Sequence, residues 1–147
     1  MDLSIFFKPV EENFEGDKHS FQKTFDIHTV NAGFPDLEDI DVAIIGVKEE
    51  RGAIDNEGCS EGADEVRRFL YKLNIGGFFP RVVDLGNIKA GETINDTYFA
   101  LTNSIEALIK RKILPIIIGG SQDLTFANYA AYQKMEQTVN LVSIDNQ

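Results

Sequence analysis

Two continuous apolar runs constrain the fold of this chain more than any other feature of its sequence. Residues 42–47 read Val-Ala-Ile-Ile-Gly-Val, and residues 114–118 read Leu-Pro-Ile-Ile-Ile. Neither run alternates with polar residues, as a strand with one solvent-facing side would. Both are therefore typical of strands buried on both faces, which occur in parallel sheets covered by helices.

The segments between and after these runs predict further strands and helices. We expect a helix over residues 63–73 with Val66, Phe69, Leu70 and Leu73 on its buried face, then a strand over residues 81–85. Apolar residues spaced by three and four along residues 94–108 predict a long helix, with Thr93 and Asp96 as its capping box. A helix over residues 124–135 and a last strand over residues 139–144 complete the pattern.

The resulting β-α-β-α-β-α-β order predicts a three-layer α-β-α fold with a mainly parallel sheet. We assign residues 41–147 to this partial α/β domain and residues 1–40 to an N-terminal extension that packs on it. Since no helix follows residues 139–144 to cover the last strand, we interpret the chain as the front part of a longer α/β protein. A short domain whose last strand lies at an edge is the alternative.

Composition and charge exclude several classes of function. With 24 acidic and 14 basic residues the net charge is −10, which disfavours binding to nucleic acid or to anionic membranes. The longest apolar runs are too short to span a bilayer, and the N-terminus does not resemble a secretory signal. The single cysteine, Cys59, excludes an internal disulfide, so we expect a reducing, cytoplasmic location.

Five segments follow one another in a characteristic order: residues 41–52, 62–67 (Gly-Ala-Asp-Glu-Val-Arg), 83–87 (Val-Asp-Leu-Gly-Asn), 116–120 (Ile-Ile-Ile-Gly-Gly) and 142–145 (Val-Ser-Ile-Asp). Together they resemble the N-terminal half of the ureohydrolase family, which includes arginase, agmatinase and formimidoylglutamase. The resemblance implies an arginase-like, here truncated, fold and hydrolysis of a C–N bond in a linear guanidino or formimino compound. It also implies two manganese ions, which lower the pKa of a bridging water.

The metal motifs of that family are altered in this sequence. In the motif Gly-Gly-Asp-His-Ser, Ser121 stands at the Asp and Gln122 at the His; in Asp-x-His-x-Asp, Asp145 matches the first Asp and Gln147 stands at the His. Asp123 is a possible displaced ligand. A neutral amide oxygen lacks the basicity of imidazole, so we expect manganese to be absent and this chain to be inactive or not metal-competent. A non-catalytic binding or assembly module of the same fold is the alternative.

The loop after the first apolar run concentrates negative charge. Glu49, Glu50, Asp55, Glu57 and Glu61 lie in it. They form either a solvated loop or a site that faces a cationic substrate, with Glu49, Glu50 and Glu57 on the substrate side. His19 and His28 lie in the extension and are interpreted as surface or packing residues. Because a partial sheet leaves an apolar edge uncovered, we also expect a homo-oligomer.

Overall fold

A five-stranded, mainly parallel sheet forms the centre of the molecule. The computed structural model describes residues 2–11, 17–77, 80–136 and 138–144. Along the sheet the order is β1-β4-β3-β5, with β2 also paired to β4. Pairing is parallel except between β1 and β4. The strands are β1 (Phe7–Lys8), β2 (Asp26–Ile27), β3 (Val42–Val47), β4 (Val82–Ile88) and β5 (Leu114–Ile118).

Helices cover both faces of this sheet. They are α1 (Phe21–Thr24), α2 (Gly62–Leu70), α3 (Ile94–Lys110) and α4 (Leu124–Gln133), with short 3-10 helices at Leu3–Phe6 and Cys59–Glu61. Alternate residues of β3 serve the two faces: Ala43 and Ile45 join the core under α3 and α4, whereas Ile44 joins the cluster on the α1 and α2 side. The predicted three-layer fold is confirmed.

Helix α3 matches its prediction closely. Its capping box of Thr93 and Asp96 is present, and the Asp96 Oδ2 accepts a hydrogen bond of 2.8 Å from the Thr93 backbone nitrogen. The side chains of Leu101, Ile105 and Leu108 are fully buried. The i, i+3, i+4 pattern therefore identified the face that packs on the sheet.

The first forty residues contribute strands and core side chains. The strands β1 and β2 both pair with the edge of β4 that faces away from β3. Leu3, Phe7 and Leu37 are buried in the same apolar cluster as the central strand. This segment therefore completes one edge of the sheet.

The predictions for α2 and for residues 139–144 were wrong. Helix α2 ends at Leu70, and it turns Ala63 and Arg67 inwards while Val66 and Phe69 are exposed. The reason is that Arg67 finds a buried anionic partner, described below. Residues 139–144 form no strand. Leu141, Val142 and Ile144 remain exposed, so the described residues supply no second layer to bury them, which a central parallel strand requires. Among the described residues, no helix combines the length and apolarity needed to cross a bilayer.

Candidate functional site

Two loops meet beyond the carboxyl ends of β3 and β5. We name residues 48–62 the acidic loop and residues 119–123 the motif loop. The Ser121 backbone nitrogen donates to the Glu49 carbonyl at 2.9 Å, and that of Gly120 donates to the Cys59 carbonyl at 3.1 Å. In a parallel sheet this edge is where ligands bind.

Glycine at two successive positions allows this close approach. Gly119 and Gly120 both have φ of +83°, a left-handed conformation that favours glycine. A Cβ on Gly119 would lie 2.7 Å from the Ala63 nitrogen, and one on Gly120 would lie 2.2 Å from the Leu124 side chain. The motif loop can therefore pack against α2 and the acidic loop only with these glycines.

Asp123 is the carboxylate of the motif loop, and both of its oxygens are constrained. Its Oδ2 accepts a short hydrogen bond from the Tyr98 hydroxyl, while its Oδ1 is buried without a hydrogen-bond partner among the described residues. The carboxyl lies over Gly52, where a Cβ would be 2.5 Å from it. Burial, followed by the hydrogen bond to Asp123, raises the pKa of Tyr98 to about 12, so the tyrosine remains a donor at neutral pH.

Ser121 and Gln122 occupy the positions where the resemblance places metal ligands. Ser121 is buried, and its hydroxyl lies 3.4 Å from the Glu49 carbonyl oxygen. Gln122 is exposed, and its backbone carbonyl accepts a hydrogen bond of 3.1 Å from the Thr125 backbone nitrogen. Asp145 and Gln147, the remaining predicted positions, lie outside the described residues.

Glu49 forms the most constrained ion pair of the acidic loop. Its side chain is buried and accepts from Arg51 Nε at 2.8 Å, from the Arg51 backbone nitrogen at 3.0 Å and from the Thr97 hydroxyl at 2.9 Å. Chiefly because of the Arg51 hydrogen bonds, its pKa falls to about 2. Glu49 therefore anchors the acidic loop to α3 as a permanent anion above that pH.

The other acids of this loop are exposed, Glu50 and Glu57 among them. Glu50 accepts from the Ser60 hydroxyl at 2.8 Å and from the Gly58 nitrogen at 3.1 Å, and the hydrogen bonds from Ser60 lower its pKa. Glu57 lies at the exposed turn before Gly58. Glu50 and Glu57, unlike Glu49, thus present their side chains to solvent beside the motif loop.

The described residues bring no complete set of manganese ligands together, and two of the predicted positions, Asp145 and Gln147, lie outside them. No group of three or more His, Cys, Asp and Glu side chains converges in this part of the chain. Manganese prefers carboxylate, imidazole and water ligands. Asp123 offers its unpartnered Oδ1, but the His28 ring is buried with its Nδ1 2.9 Å from the Leu85 carbonyl. His19 is exposed in the extension.

A buried network of charged side chains beneath this edge was not predicted from the sequence. Arg67 and Asp84 are both fully buried and form a forked pair, with Nε to Oδ2 at 2.8 Å and Nη2 to Oδ1 at 2.7 Å. Arg67 also donates to the Asn87 amide oxygen at 2.6 Å, and the Tyr71 hydroxyl donates to Asp84 at 2.7 Å. The available signal was the spacing of Ala63, Arg67 and Tyr71, four residues apart on one helical stripe.

Comparison with known proteins shows which proteins this chain is similar to. The profile of the arginase family matches residues 40–146. Formimidoylglutamase of Streptococcus gordonii is 26% identical over 99% of this chain and 46% of its own length. That of Halobacterium salinarum is 25% identical over 75% of this chain and 38% of its own. The chain therefore spans less than half the length of these curated relatives.

Solved structures show the same fold. The crystal structure of formimidoylglutamase from Bacillus subtilis covers 88% of this chain with a TM-score of 0.68 at 18% identity, and this chain spans 43% of it. Formiminoglutamase from Trypanosoma cruzi, in a structure with Mn²⁺, covers 78% with a TM-score of 0.66 at 22% identity, and 40% of it is spanned. The matched fold and the family profile over most of the residues lead to one conclusion: the chain belongs to the arginase family.

Proposed function

We propose that this protein is a formimidoylglutamase-like member of the arginase family that, as this chain, does not assemble a dinuclear manganese centre and does not hydrolyse amidines. One observation supports this proposal above all. The motif loop offers Ser121 and Gln122 where the family has Asp and His, and Tyr98 engages its remaining carboxylate, Asp123.

The chemistry of a two-metal hydrolase explains why this exchange matters. Two divalent ions about 3.5–4 Å apart activate a bridging water, and their ligands must supply negative charge and basicity. A serine hydroxyl and a glutamine amide supply neither. Gln147, at the other histidine position, likewise supplies neither negative charge nor basicity, and Asp145 alone cannot replace the missing ligands.

Substrate contacts can survive the loss of hydrolysis. Glu50 and Glu57 expose carboxylates beside the motif loop, and carboxylates pair with the cationic guanidino or formimino group through charge-assisted hydrogen bonds. We accordingly propose that the acidic loop faces such a compound. The half-buried free thiol of Cys59 suits a reducing compartment, and we propose the cytoplasm as its location.

Manganese binding tests the first proposal. We expect isothermal titration with MnCl₂ to show no near-stoichiometric binding to the purified chain, and no ammonia, formamide or urea to be released from formimidoylglutamate, arginine or agmatine. The double variant Gln122→His/Gln147→His should gain manganese affinity. Gln133→His, which places a histidine at an exposed position of α4, is the matched control and should not. Tight, near-stoichiometric binding by the unaltered chain would contradict the proposal.

A second candidate, an assembly module, is favoured by exposed aromatic side chains. Phe69 on α2 and Phe126 on α4 are 70% and 69% exposed, and exposed apolar patches mark interaction surfaces. We propose a homo-oligomer built on these helices. Sedimentation velocity should then give a mass above the 16.4 kDa of one chain, which Phe69→Ser or Phe126→Ser lowers. Val30→Ser, at another exposed apolar residue, should leave it unchanged, and a monomeric unaltered chain would refute the assembly.

A further inference from the structure

Helix α2 carries an apolar stripe that the described part of the chain leaves exposed. Val66, Phe69 and Leu73, which we name the α2 stripe, are 44%, 70% and 55% exposed. The Leu73 backbone nitrogen donates to the Leu70 carbonyl at 3.1 Å, so a helical turn continues beyond the end of α2 and includes Leu73. Spacings of three and four residues place the three side chains along one face. An exposed apolar surface of this kind marks an interaction site.

The sheet cannot cover the α2 stripe, because another side of the helix already packs there. Ala63, Arg67 and Tyr71 follow one another at intervals of four residues and are fully buried. At about 3.6 residues per turn, their mean direction from the helix axis is more than a right angle away from that of the stripe. Arg67 is held by its fork with Asp84. A rotation of α2 that buried the stripe in its own core would break this ion pair, so the stripe remains available to a partner.

The charges beside the α2 stripe differ in sign at its two ends. Glu65 lies in the first turn of α2, and Lys72 lies two turns later on the same flank; both are exposed. Glu65 pairs with Arg68 at 2.8 Å in an exposed contact, whereas Lys72 forms no ion pair within the part of the chain that the structure describes. A surface that is acidic at one end and basic at the other complements a copy of itself only when that copy runs in the opposite direction.

We propose that α2 pairs with α2 of a second copy of this chain, with the two helices antiparallel about a two-fold axis near Phe69. In such a contact each copy presents the same surface to the other. Val66 of one copy lies towards Leu73 of the other, and Glu65 of one copy faces Lys72 of the other. This inference rests on the assembly proposed above and specifies the contact and the orientation through which it forms.

The contact combines an apolar centre with a polar edge, as protein interfaces commonly do. Phe69 of each copy lies at the crossing point, where a large aromatic side chain contributes most to binding. Each chain carries a net charge of −10, so Lys72 against an acid of the other copy offsets part of the repulsion between the two chains. Two such short helices bury less area than the roughly 1,600 Å² of a standard interface. We therefore expect a weak dimer whose population depends on concentration.

Charge reversal followed by mixing of the variants tests this arrangement. In sedimentation velocity of the whole chain over a range of concentrations, Glu65→Lys and Lys72→Glu should each weaken self-association about tenfold, because two attractions become two repulsions. An equimolar mixture of the two variants should restore the dimer, since each supplies the charge that the other has lost. Glu38→Lys is the matched control, because this exposed acid follows Leu37, which packs on the α3 and α4 side of the sheet. Alone it should leave association unchanged, and mixed with Lys72→Glu it should restore the dimer less than Glu65→Lys does.

The outcomes separate this pairing from the assembly on which it rests. A chain that is monomeric at every concentration would refute both. A dimer that Phe126→Ser dissociates, but that neither charge reversal affects, would overturn the α2 pairing and leave the assembly standing. Loss of association in both single variants without recovery in their mixture would also overturn it, because the antiparallel arrangement requires that recovery. Circular dichroism should show both variants folded, since Glu65 and Lys72 are exposed. No manganese or hydrolysis enters these measurements, so they are independent of the proposed loss of the metal centre.

Discussion

Replacement of Arg67 by methionine is the sharpest test of the buried network. The Arg67 side chain is 0% exposed and donates to both Asp84 oxygens, to Asn87 and to the Gly86 carbonyl. Arg67→Met leaves the Asp84 carboxylate, itself 0% exposed, with the Tyr71 hydroxyl and the Gly86 nitrogen as its only donors among the described residues. Removing one member of such a pair costs about 3–5 kcal/mol, because the other charge stays buried without compensation.

The neighbouring arginine supplies a matched control within the same helix. Arg68 pairs with Glu65, but their side chains are 59% and 55% exposed, and exposed pairs contribute about 0–1 kcal/mol. In urea denaturation followed by circular dichroism at neutral pH, Arg67→Met should therefore lose several times more free energy of unfolding than Arg68→Met. Arg67→Lys keeps the charge but not the fork, and should fall between the two.

A double-mutant cycle checks that the loss comes from the pair itself. Arg67→Met combined with Asp84→Leu removes both charges, so the double variant should be more stable than the sum of the single losses predicts, with a coupling of about 2 kcal/mol or more. Additive losses, or an Arg67→Met loss no greater than that of Arg68→Met, would refute the assignment of α2 stability to this ion pair.

Two further predictions concern the loops at the candidate site. Arg51 lowers the pKa of Glu49 from 4.5 to about 2, so the ion pair stabilises the fold above pH 4.5. This contribution, up to about 3 kcal/mol, disappears as the pH falls towards 2. The free energies of unfolding of the unaltered chain and of Glu49→Gln should therefore differ at pH 6 and converge near pH 2; a constant difference at all pH values would contradict this. Gly120→Ala should lower the free energy of unfolding by more than about 2 kcal/mol, because a left-handed φ is combined with a clash against Leu124. Gly33→Ala is the control: its φ is similar but the space around it is open, so it should cost only about 1 kcal/mol. Equal losses would refute the packing of the motif loop.

The sequence was sufficient wherever the structural signal is local. The runs at β3 and β5 both matched observed strands, and β3 is buried on both faces as predicted. The burial predicted for β5 was wrong: Leu114 and Ile116 are 57% and 43% exposed, because β5 stands at the edge of the sheet. Helix α3 was predicted to within two residues, since Thr93 and Asp96 cap it and its apolar stripe repeats over four turns.

Helix α2 shows why local patterns fail when a distant partner decides. Its apolar residues Val66 and Phe69 suggested one buried face, yet the structure buries Ala63 and Arg67 instead. An arginine enters a core only when a carboxylate meets it there, and Asp84 lies 17 residues further along the chain on β4. The spacing of Ala63, Arg67 and Tyr71 defines the stripe that is buried, but nothing within α2 identifies the carboxylate on β4 that allows an arginine to be buried there.

At the candidate site, too, the sequence does not show which distant residues hold the predicted side chains. Sequence spacing singled out Asp123 as a possible ligand and Glu49 as a possible substrate-side acid, but not the hydrogen bonds that reach them from α3. Tyr98 and Thr97 are adjacent on that helix, and they bond Asp123 and Glu49 respectively. One turn of α3 thus holds a carboxylate from each of the two loops, which fixes the loops relative to each other. Asp123 still keeps its Oδ1 without a hydrogen-bond partner among the described residues, so it can ligate a cation through that oxygen while Tyr98 holds the other. Restoring histidine at position 122 therefore tests whether the remaining ligands suffice.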